Sequence, residues 1–336
     1  MTMLRNCAIF LCCLCVFGSP LASAEPLITA DQCQSIETGP GPENLLLLKD
    51  RQQLLISSHD RRRFSRTGEI YRYDLNSKTM QALPREGEPE SFRFRPHGMD
   101  AQKRNGNWWL YVISHDSEVF SDQHSIAVYE LINDVLHFRR LMTTPLMSAP
   151  NDLVLGENGD IYVTIERANG GSITEMIFLQ RKSSVIHYRA GRGWQVAAND
   201  LSFANGILLD NDTAYISQTL GEGINKYQIL SNGRFQFKEK ITNLSLLDAI
   251  TPSRPGHIMA PAHPSLFQLF WHWRRDNRAS PSILYEINTS TGDATKLFAN
   301  DGSKISAVSQ AILVNDTLYI GQLFEPFILA CPRPLQ

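Results

Sequence analysis

The 336-residue chain lacks the features that mark several large classes of protein. Its 32 basic and 34 acidic residues nearly cancel, so no excess of positive charge is available to neutralise a nucleic-acid backbone. Long helical periodicity is almost absent, which excludes a coiled coil. The signatures G-x-S-x-G, H-E-x-x-H and G-x-G-x-x-G and a phosphate-binding loop are also missing. These motifs therefore give no indication of the chemistry.

Long apolar runs are missing too, apart from a short one near the N-terminus. Arg5 precedes an apolar core over residues 7–17, and small residues follow it up to Ala22 and Ala24. This run is too short to span a bilayer and has the flanks of a secretory signal peptide. We predict that residues 1–24 are cleaved after Ala24, and that the protein is exported to the periplasm or secreted without a transmembrane segment.

Cysteine is scarce beyond that signal. Four of the six cysteines fall within the first 15 residues, which leaves Cys33 and Cys331 in the mature chain. An exported protein lies in an oxidising compartment, where disulfides persist. The two cysteines could still be unrelated, because spacing alone does not establish a bridge.

A repeat of about 54 residues runs through the mature chain. Each copy has a polar residue, an apolar strand, a tight turn and a second apolar strand that ends in a small polar residue. Further strand pairs lie between the copies, which gives about four strands per unit. Six units of four strands are typical of a β-propeller, whereas a β-sandwich would not need this regular spacing. The copies begin at Glu43, His97, Asn151, Asn205, Asp248 and Ser309.

The last copy of the repeat is incomplete. Only about three strands fit after Ser309, so a strand within residues 26–36 must complete the sixth blade. That closure would bring Cys33 and Cys331 onto neighbouring strands, and together the two observations predict a disulfide. We therefore predict that residues 25–336 form one all-β domain, a six-bladed β-propeller with four antiparallel strands per blade.

Rotation about the propeller axis should bring the six polar starting residues together at one height in the central channel. Asn and Asp also begin strands simply because they form turns, but four carboxylates and amides at one register favour a site. Their ligand atoms are hard oxygens, which suit Ca²⁺ and not zinc or copper. The sequence predicts a calcium site formed by Glu43, Asn151, Asn205 and Asp248.

Two histidines add chemistry beside this ring. His97 begins the inner strand of the second unit, and His115 ends its hairpin partner. Antiparallel pairing returns the chain to its starting height, so the two imidazoles should be neighbours. One can act as a general base while the other orients it or carries the proton.

The segment 266–278 is the only one with a clear helical face. That face is followed by arginines, and we interpret the segment as either core packing or a lid over the channel mouth. Candidates for lining a substrate pocket are Trp271 and Trp273 of this segment and His263 just before it.

With these residues, the sequence resembles the paraoxonase and arylesterase family, within a wider group of six-bladed propellers that includes regucalcin-like gluconolactonases and diisopropyl-fluorophosphatase. The resemblance covers nearly all of the mature chain. Its most specific motifs are Ile36-Glu-Thr-Gly, Arg95-Pro-His-Gly-Met, Ile113-Ser-His, Pro150-Asn-Asp-Leu, Phe203-Ala-Asn-Gly-Ile, Leu247-Asp, Ala262-His-Pro and Leu329-Ala-Cys.

The resemblance implies that the four ring residues are ligands of a catalytic calcium ion and that His97 and His115 form a catalytic dyad. It also suggests a second, structural calcium site at Asn44, Asp152 and Met99. Asn44 stands where paraoxonases carry an aspartate. Ala249 replaces an asparagine that adds a ligand to the catalytic ion.

The activity that the resemblance implies is calcium-dependent hydrolysis of a small-molecule lactone or aryl ester. A regucalcin-like sugar lactonase is the first alternative. A non-catalytic propeller, stabilised by calcium and binding a ligand or partner, is the second. The histidine pair favours an enzyme, because a structural ion needs no base beside it. Neither the physiological substrate nor the oligomeric state follows from the sequence.

Overall fold

The computed structural model describes residues 25–63, 67–115, 124–168, 180–221 and 223–333. The predicted signal peptide lies outside these ranges. Within them the chain forms 26 strands, one α-helix and two short 3₁₀ helices. The helical elements are α1 (Leu266–Arg274) and the 3₁₀ helices Ala30–Gln32 and Lys49–Arg51.

The strands are short and follow one another closely in sequence. In chain order they are β1 (Ile28–Thr29), β2 (Gln34–Glu37), β3 (Pro42–Leu48), β4 (Gln53–Ser58), β5 (Glu69–Asp74), β6 (Met80–Ala82), β7 (Arg85–Glu86), β8 (Pro96–Arg104), β9 (Asn107–His115), β10 (His124–Ile132), β11 (Val135–Met142), β12 (Pro150–Leu155), β13 (Ile161–Ile165), β14 (Ser183–Arg189), β15 (Gly193–Leu201), β16 (Ala204–Asp210), β17 (Thr213–Gln218), β18 (Ile224–Ile229), β19 (Phe235–Lys240), β20 (Thr251–Pro252), β21 (His257–Ala262), β22 (Ser282–Asn288), β23 (Ala294–Asn300), β24 (Val308–Val314), β25 (Thr317–Gln322) and β26 (Phe327–Pro332).

These strands form six separate sheets, which confirms the predicted six-bladed propeller. Each sheet is built on four antiparallel strands, and the first strands of neighbouring blades contact one another at the centre of the ring. The blades are β3–β6, β8–β11, β12–β15, β16–β19, β20–β23 and β24–β26 with β2. We number them 1 to 6 in that order. β7 adds a parallel outer strand to blade 2.

The N-terminal segment closes the ring in two places. β2 pairs with β26 as the fourth strand of blade 6, as predicted. β1 pairs in parallel with β23 at the outer edge of blade 5, which the repeat did not predict. Between them, Cys33 is bonded to Cys331, with their Cα atoms 4.2 Å apart across a sequence separation of 298. The predicted disulfide is confirmed.

The hydrophobic core is divided into six clusters, one between each pair of neighbouring blades. Because side chains alternate across a strand, the middle strands must be apolar on both faces. In β4, Leu54 and Ile56 pack toward blade 6, while Leu55 between them packs toward blade 2. This explains why the inner strands have nearly continuous runs of Leu, Ile and Val.

Among the described residues, no helix has both the length and the apolar character needed to cross a membrane.

Candidate active site

The six polar residues that start the repeats lie at or just before the first strand of each blade. In five blades the residue is the second of that strand, and Asp248 follows the isolated bridge between Leu247 and Ala262 in blade 5. Since these strands are the innermost ones, the repeat register brings all six positions to one end of the central channel. We call them the strand-one ring: Glu43, His97, Asn151, Asn205, Asp248 and Ser309.

A β-bulge occurs at the ring position of every blade. In blade 4, Ala204 pairs with Gln218 and Ile207 pairs with Ile216, so that two residues stand opposite one. The same excess of one residue follows the first bridge pair in the other five blades. A bulge bends its strand and re-aims side chains, and here it recurs where the polar residues enter the channel.

Hydroxyl groups of the second strands accept hydrogen bonds from backbone N–H groups at the bulges. Thr164 Oγ1 accepts from the N–H of Asp152 (3.0 Å), and Ser217 Oγ accepts from that of Gly206 (2.8 Å). Ser217 also donates to the carbonyl oxygen of Asp248 in the next blade (2.6 Å). In blades 3 and 4, the small polar residue near the end of the second strand therefore holds the bulge in place.

A second ring of side chains lies beside the first, at the end of the second strand of each blade. In every blade this residue donates its backbone N–H to the carbonyl two positions before the strand-one ring residue, at 2.8–3.4 Å. We call these residues the strand-two ring: His59, His115, Glu166, Thr219, His263 and Leu323. The sequence analysis identified His115 and His263, although the repeat register contained all six.

The strand-two ring orients the amides of the strand-one ring. Asn205 donates through Nδ2 to Thr219 Oγ1 (3.1 Å), and Asn151 donates through Nδ2 to Glu166 Oε1 (2.5 Å). Each amide nitrogen is thereby engaged within its own blade. Among the described residues, Asn205 Oδ1 is buried and has no hydrogen-bond partner. A buried carbonyl oxygen of this kind is suited to act as a ligand of a cation.

The two carboxylates of the strand-one ring are also held by neighbours. Asp248 Oδ2 lies 2.7 Å from Nε2 of His263, and its Oδ1 accepts from the N–H of Ala249 (3.0 Å). Glu43 Oε1 lies 3.1 Å from His97 Nε2. His263 is therefore buried behind Asp248 and does not line the cavity described below.

The donor set fits Ca²⁺ by its chemistry. Two carboxylates and two amide oxygens supply hard ligands with a total charge of −2, and each side chain is at least nine-tenths buried. In the part of the chain that the structure describes, no three His, Cys, Asp or Glu side chains are grouped to hold a metal ion. That is consistent with a ring in which half of the candidate ligands are amides.

Arg61 places a positive charge against this ring, which the sequence analysis did not anticipate. Its Nη2 contacts Glu43 Oε2 and lies 3.4 Å from His97 Nδ1. Burial lowers the pKa of the guanidinium to about 10, and the charges of Asp248 and Glu166 oppose that effect. Arg61 remains positively charged at neutral pH.

His97 and His115 are neighbours in the structure, and His124 joins them. The rings of His97 and His115 are perpendicular, with centroids 4.7 Å apart. His124 stands directly opposite His115 in the β9–β10 pairing, and their Nδ1 atoms are 3.0 Å apart. One of these nitrogens donates and the other accepts, so the pair can pass a proton.

Burial sets the protonation state of these histidines. It is the main cause that holds the pKa of His97 and of His115 well below 6.5, and nearby Arg61 and His124 lower both pKa values further. Burial also raises the pKa of the Glu166 carboxyl. At neutral pH both imidazoles are uncharged, which is the form that accepts a proton from water.

A cavity of about 390 Å³ opens over the histidines and Arg61. Helix α1 covers it, and Ser265 caps the helix by accepting a hydrogen bond from the N–H of Gln268 (3.2 Å). Apart from the charged and histidine groups, the walls are mainly apolar. The apolar side chains include Phe203, Leu220, Leu266, Leu269, Phe270, Trp273, Leu323 and Phe324.

The predicted lid face of α1 lies on this cavity, whereas the two tryptophans separate. Trp273 lines the cavity and donates through Nε1 to the carbonyl of Arg61 (3.2 Å). Trp271 instead lines a separate concavity with Phe267 and Arg275.

Close to the strand-one ring lie the residues proposed for a second metal site. Asp152 accepts hydrogen bonds from the N–H groups of Leu153 (2.9 Å) and Ile207 (3.2 Å). Burial raises its pKa to about 7. Asn44 is buried, and the Met99 side chain belongs to the apolar cluster between blades 1 and 2. The second metal site therefore stays a prediction.

A sequence model of the arylesterase family, described as "Arylesterase", matches residues 62–331. The chain belongs to the arylesterase family. The match begins after Glu43 and Arg61, so their place in the site rests on the structure.

Relatives within and around this family are distant. The chain is 25% identical to mechanosensory abnormality protein 6 of Caenorhabditis elegans, over 75% of this chain and 69% of that protein. It is 24% identical to serum paraoxonase/arylesterase 2 of Gallus gallus, over 77% and 75% of the two chains. Among solved structures, a gluconolactonase from Xanthomonas campestris superposes with a TM-score of 0.57 at 16% identity, covering 90% of each chain. That likeness shows the shared fold.

Proposed function

We propose that this arylesterase-family protein is an exported, calcium-dependent hydrolase of lactones or aryl esters. The observation that carries the proposal is that four buried oxygen ligands of the strand-one ring lie next to a group of histidines, and that these histidines line a mainly apolar cavity. The membership of the family and the paraoxonase/arylesterase 2 relatives support the reaction class.

The proposed ligands of the calcium ion are Glu43, Asn151, Asn205 and Asp248. When bound, calcium would polarise the carbonyl group of the substrate and stabilise negative charge on its oxygen. His97 is held by Glu43, and it packs edge-on against His115. This packing fixes the orientation of the imidazole that faces the substrate.

The proposed general base is His115, with His124 as its proton partner. His115 takes a proton from a water molecule as the water oxygen attacks the carbonyl carbon. The bond between the acyl carbon and the leaving oxygen then breaks, and His115 donates a proton to that oxygen. Between the two steps His124 can accept the Nδ1 proton of His115 and return it, because the two Nδ1 atoms are 3.0 Å apart.

The cavity walls favour this reading over a sugar lactonase. A sugar presents hydroxyl groups on every face, and a site that binds one needs many buried polar partners. Here Phe203, Phe270 and Trp273 are among the many apolar side chains around the histidines. We therefore expect lactones with an alkyl chain and aryl esters to be better substrates than gluconolactone.

The test is a panel of alkyl lactones, phenyl acetate and gluconolactone, assayed with calcium and with a chelator. His115→Gln should lose about 10²–10⁴-fold in turnover, the usual range for a general base. His137→Gln is the matched control, because His137 lies on the outer strand of blade 2 beside Glu86. No hydrolysis by the folded, calcium-loaded chain would instead favour the non-catalytic binding propeller.

A further inference from the structure

Three consecutive arginines follow β4, and only one of them reaches the strand-one ring. The Arg61 side chain is 13% exposed and contacts Glu43, whereas Arg63 is exposed to solvent. A buried guanidinium carries a large desolvation cost unless its donors and its charge are matched. The groups that contact the Arg61 guanidinium therefore indicate its role.

The guanidinium is held by both backbone and side-chain groups. Nη1 donates to the carbonyl oxygens of Gly41 (3.1 Å) and His59 (3.3 Å), and it lies 3.5 Å from that of Leu323. Gly41 belongs to blade 1 and Leu323 to blade 6, so the Arg61 guanidinium bridges the two blades that meet where the propeller closes. Nη2 turns toward Glu43.

The loop that carries Arg61 is anchored from outside the ring. Arg62 Nη1 and Nη2 each donate to Glu325 Oε1 at 3.0 Å, and Nη2 also donates to the carbonyl of His272 in α1 (2.9 Å). Trp273 Nε1 donates to the carbonyl of Arg61 (3.2 Å). Blade 6 and the lid helix thus fix the position from which Arg61 enters the channel.

We propose that Arg61 is an internal counter-ion of the strand-one ring and competes with a divalent cation for Glu43. The ring carries two carboxylates, and Arg61 neutralises one of them when no metal is bound. A cation that takes Glu43 as a ligand must displace the guanidinium from that carboxylate or share it against like-charge repulsion. This inference rests on the calcium site of the proposed function. It adds that Arg61 lowers and so regulates the affinity of that site for calcium.

Calcium binding by the purified, chelator-treated chain tests the competition. Arg61→Met keeps the length of the side chain and removes its charge, so titration calorimetry with Ca²⁺ should give a Kd at least about tenfold lower than for the wild type. Arg63→Met removes the same charge from the same loop, outside the ring, and should leave Kd unchanged. In chelator, Arg61→Met should also unfold at a lower temperature than Arg63→Met, because Glu43 loses its partner.

The outcomes separate this inference from the calcium proposal. Equal Kd values for the wild type and Arg61→Met would overturn the competition and leave the calcium site standing. Binding by Arg61→Met but not by the wild type would support the counter-ion and overturn calcium dependence of the natural chain. Absence of binding in both would overturn both proposals.

A second measurement uses the wild-type chain and does not depend on the folding of a variant. Arginine side-chain NMR signals should change for Arg61 and not for Arg63 when Ca²⁺ is added. An Arg61 signal that stays unchanged at saturating calcium would overturn the competition.

Discussion

At the scale of single residues, a neighbouring group holds one polar atom of a strand-one ring side chain, and this contact orients the other polar atom. Asn205 donates through its nitrogen to Thr219, and among the described residues its buried oxygen has no hydrogen-bond partner. Asp248 contacts His263 with one oxygen and the N–H of Ala249 with the other. A carboxylate oxygen has a second lone pair, so these contacts orient Asp248 without exhausting its capacity as a ligand.

Substitutions of Asp248 and His115 should affect calcium binding and turnover separately. Asp248→Asn keeps the size of the side chain but removes one of two negative charges, so we expect calcium Kd to rise at least about tenfold. His115→Gln should leave that Kd nearly unchanged, because His115 is not a proposed ligand, and should lower turnover instead. Calorimetry and steady-state kinetics on both variants check this. Full lactone and aryl-ester turnover by His115→Gln would contradict the assignment of His115 as the base.

The pH profile should report the burial of His115. An ordinary histidine pKa near 6.5 would make activity fall between pH 6 and 7. Burial and the neighbouring positive charges hold the pKa of His115 well below that value. Because the neutral imidazole is the active form, kcat/KM should persist through this window and fall only at lower pH. A midpoint at or above pH 6.5 would argue against His115.

A stability measurement must accompany that profile. A histidine that is kept neutral in the folded state takes up a proton more readily when the chain unfolds. The unfolded state then binds more protons below about pH 6.5, so the free energy of unfolding falls as the pH drops toward the folded pKa. Thermal unfolding at each pH distinguishes this loss of structure from titration of the base.

At the scale of elements, helix α1 offers a direct test of the lid. Phe270 lines the cavity and Phe267 does not, although both are exposed phenylalanines on the same helix. Truncating Phe270 to Ala removes apolar contact worth about 1 kcal/mol if the substrate covers its exposed half, which raises KM about fivefold. Phe267→Ala should leave KM unchanged. Equal KM values in the two variants would mean that α1 does not contact the substrate.

Elements also show how far the sequence predicts the site. The repeat predicted the hairpins because their apolar strands and turns recur at a fixed period. It also predicted Asn151 and Asn205 as site residues, because they occupy the same position in two copies. The strand-two ring follows from the same register, and applying it one strand further would have identified His59 and Glu166.

Two other site residues could not be placed in that way. His124 pairs with His115 between β10 and β9, and the number of residues between two strands does not fix their register. Arg61 lies in a loop that belongs to no repeat position, and its contacts with Gly41 and Leu323 depend on how blade 1 meets blade 6. Side chains from such loops reach a site through tertiary structure alone.

At the scale of the whole molecule, the N-terminal segment holds the ring closed. β1 lies on blade 5 and β2 on blade 6, so a few residues bind the last two blades to each other and to blade 1. A propeller without this segment would end in a three-stranded blade whose outer edge is unpaired. The connection between Cys33 and Cys331 lies at that edge, far along the sheet from the strand-one ring.

Breaking this bridge should therefore lower stability without altering the site. A disulfide restricts the unfolded chain, and this one encloses nearly the whole domain, so Cys33→Ser should cost about 2–5 kcal/mol in the free energy of unfolding. Denaturant unfolding of oxidised wild type and of Cys33→Ser measures the loss. Calcium Kd and kcat, measured well below the melting temperature, should match the wild type, because β25 lies between β26 and β24, the strand that carries Ser309 of the strand-one ring. Loss of calcium binding by the folded variant would contradict this expectation. It would mean that the geometry of the strand-one ring depends on the disulfide of blade 6.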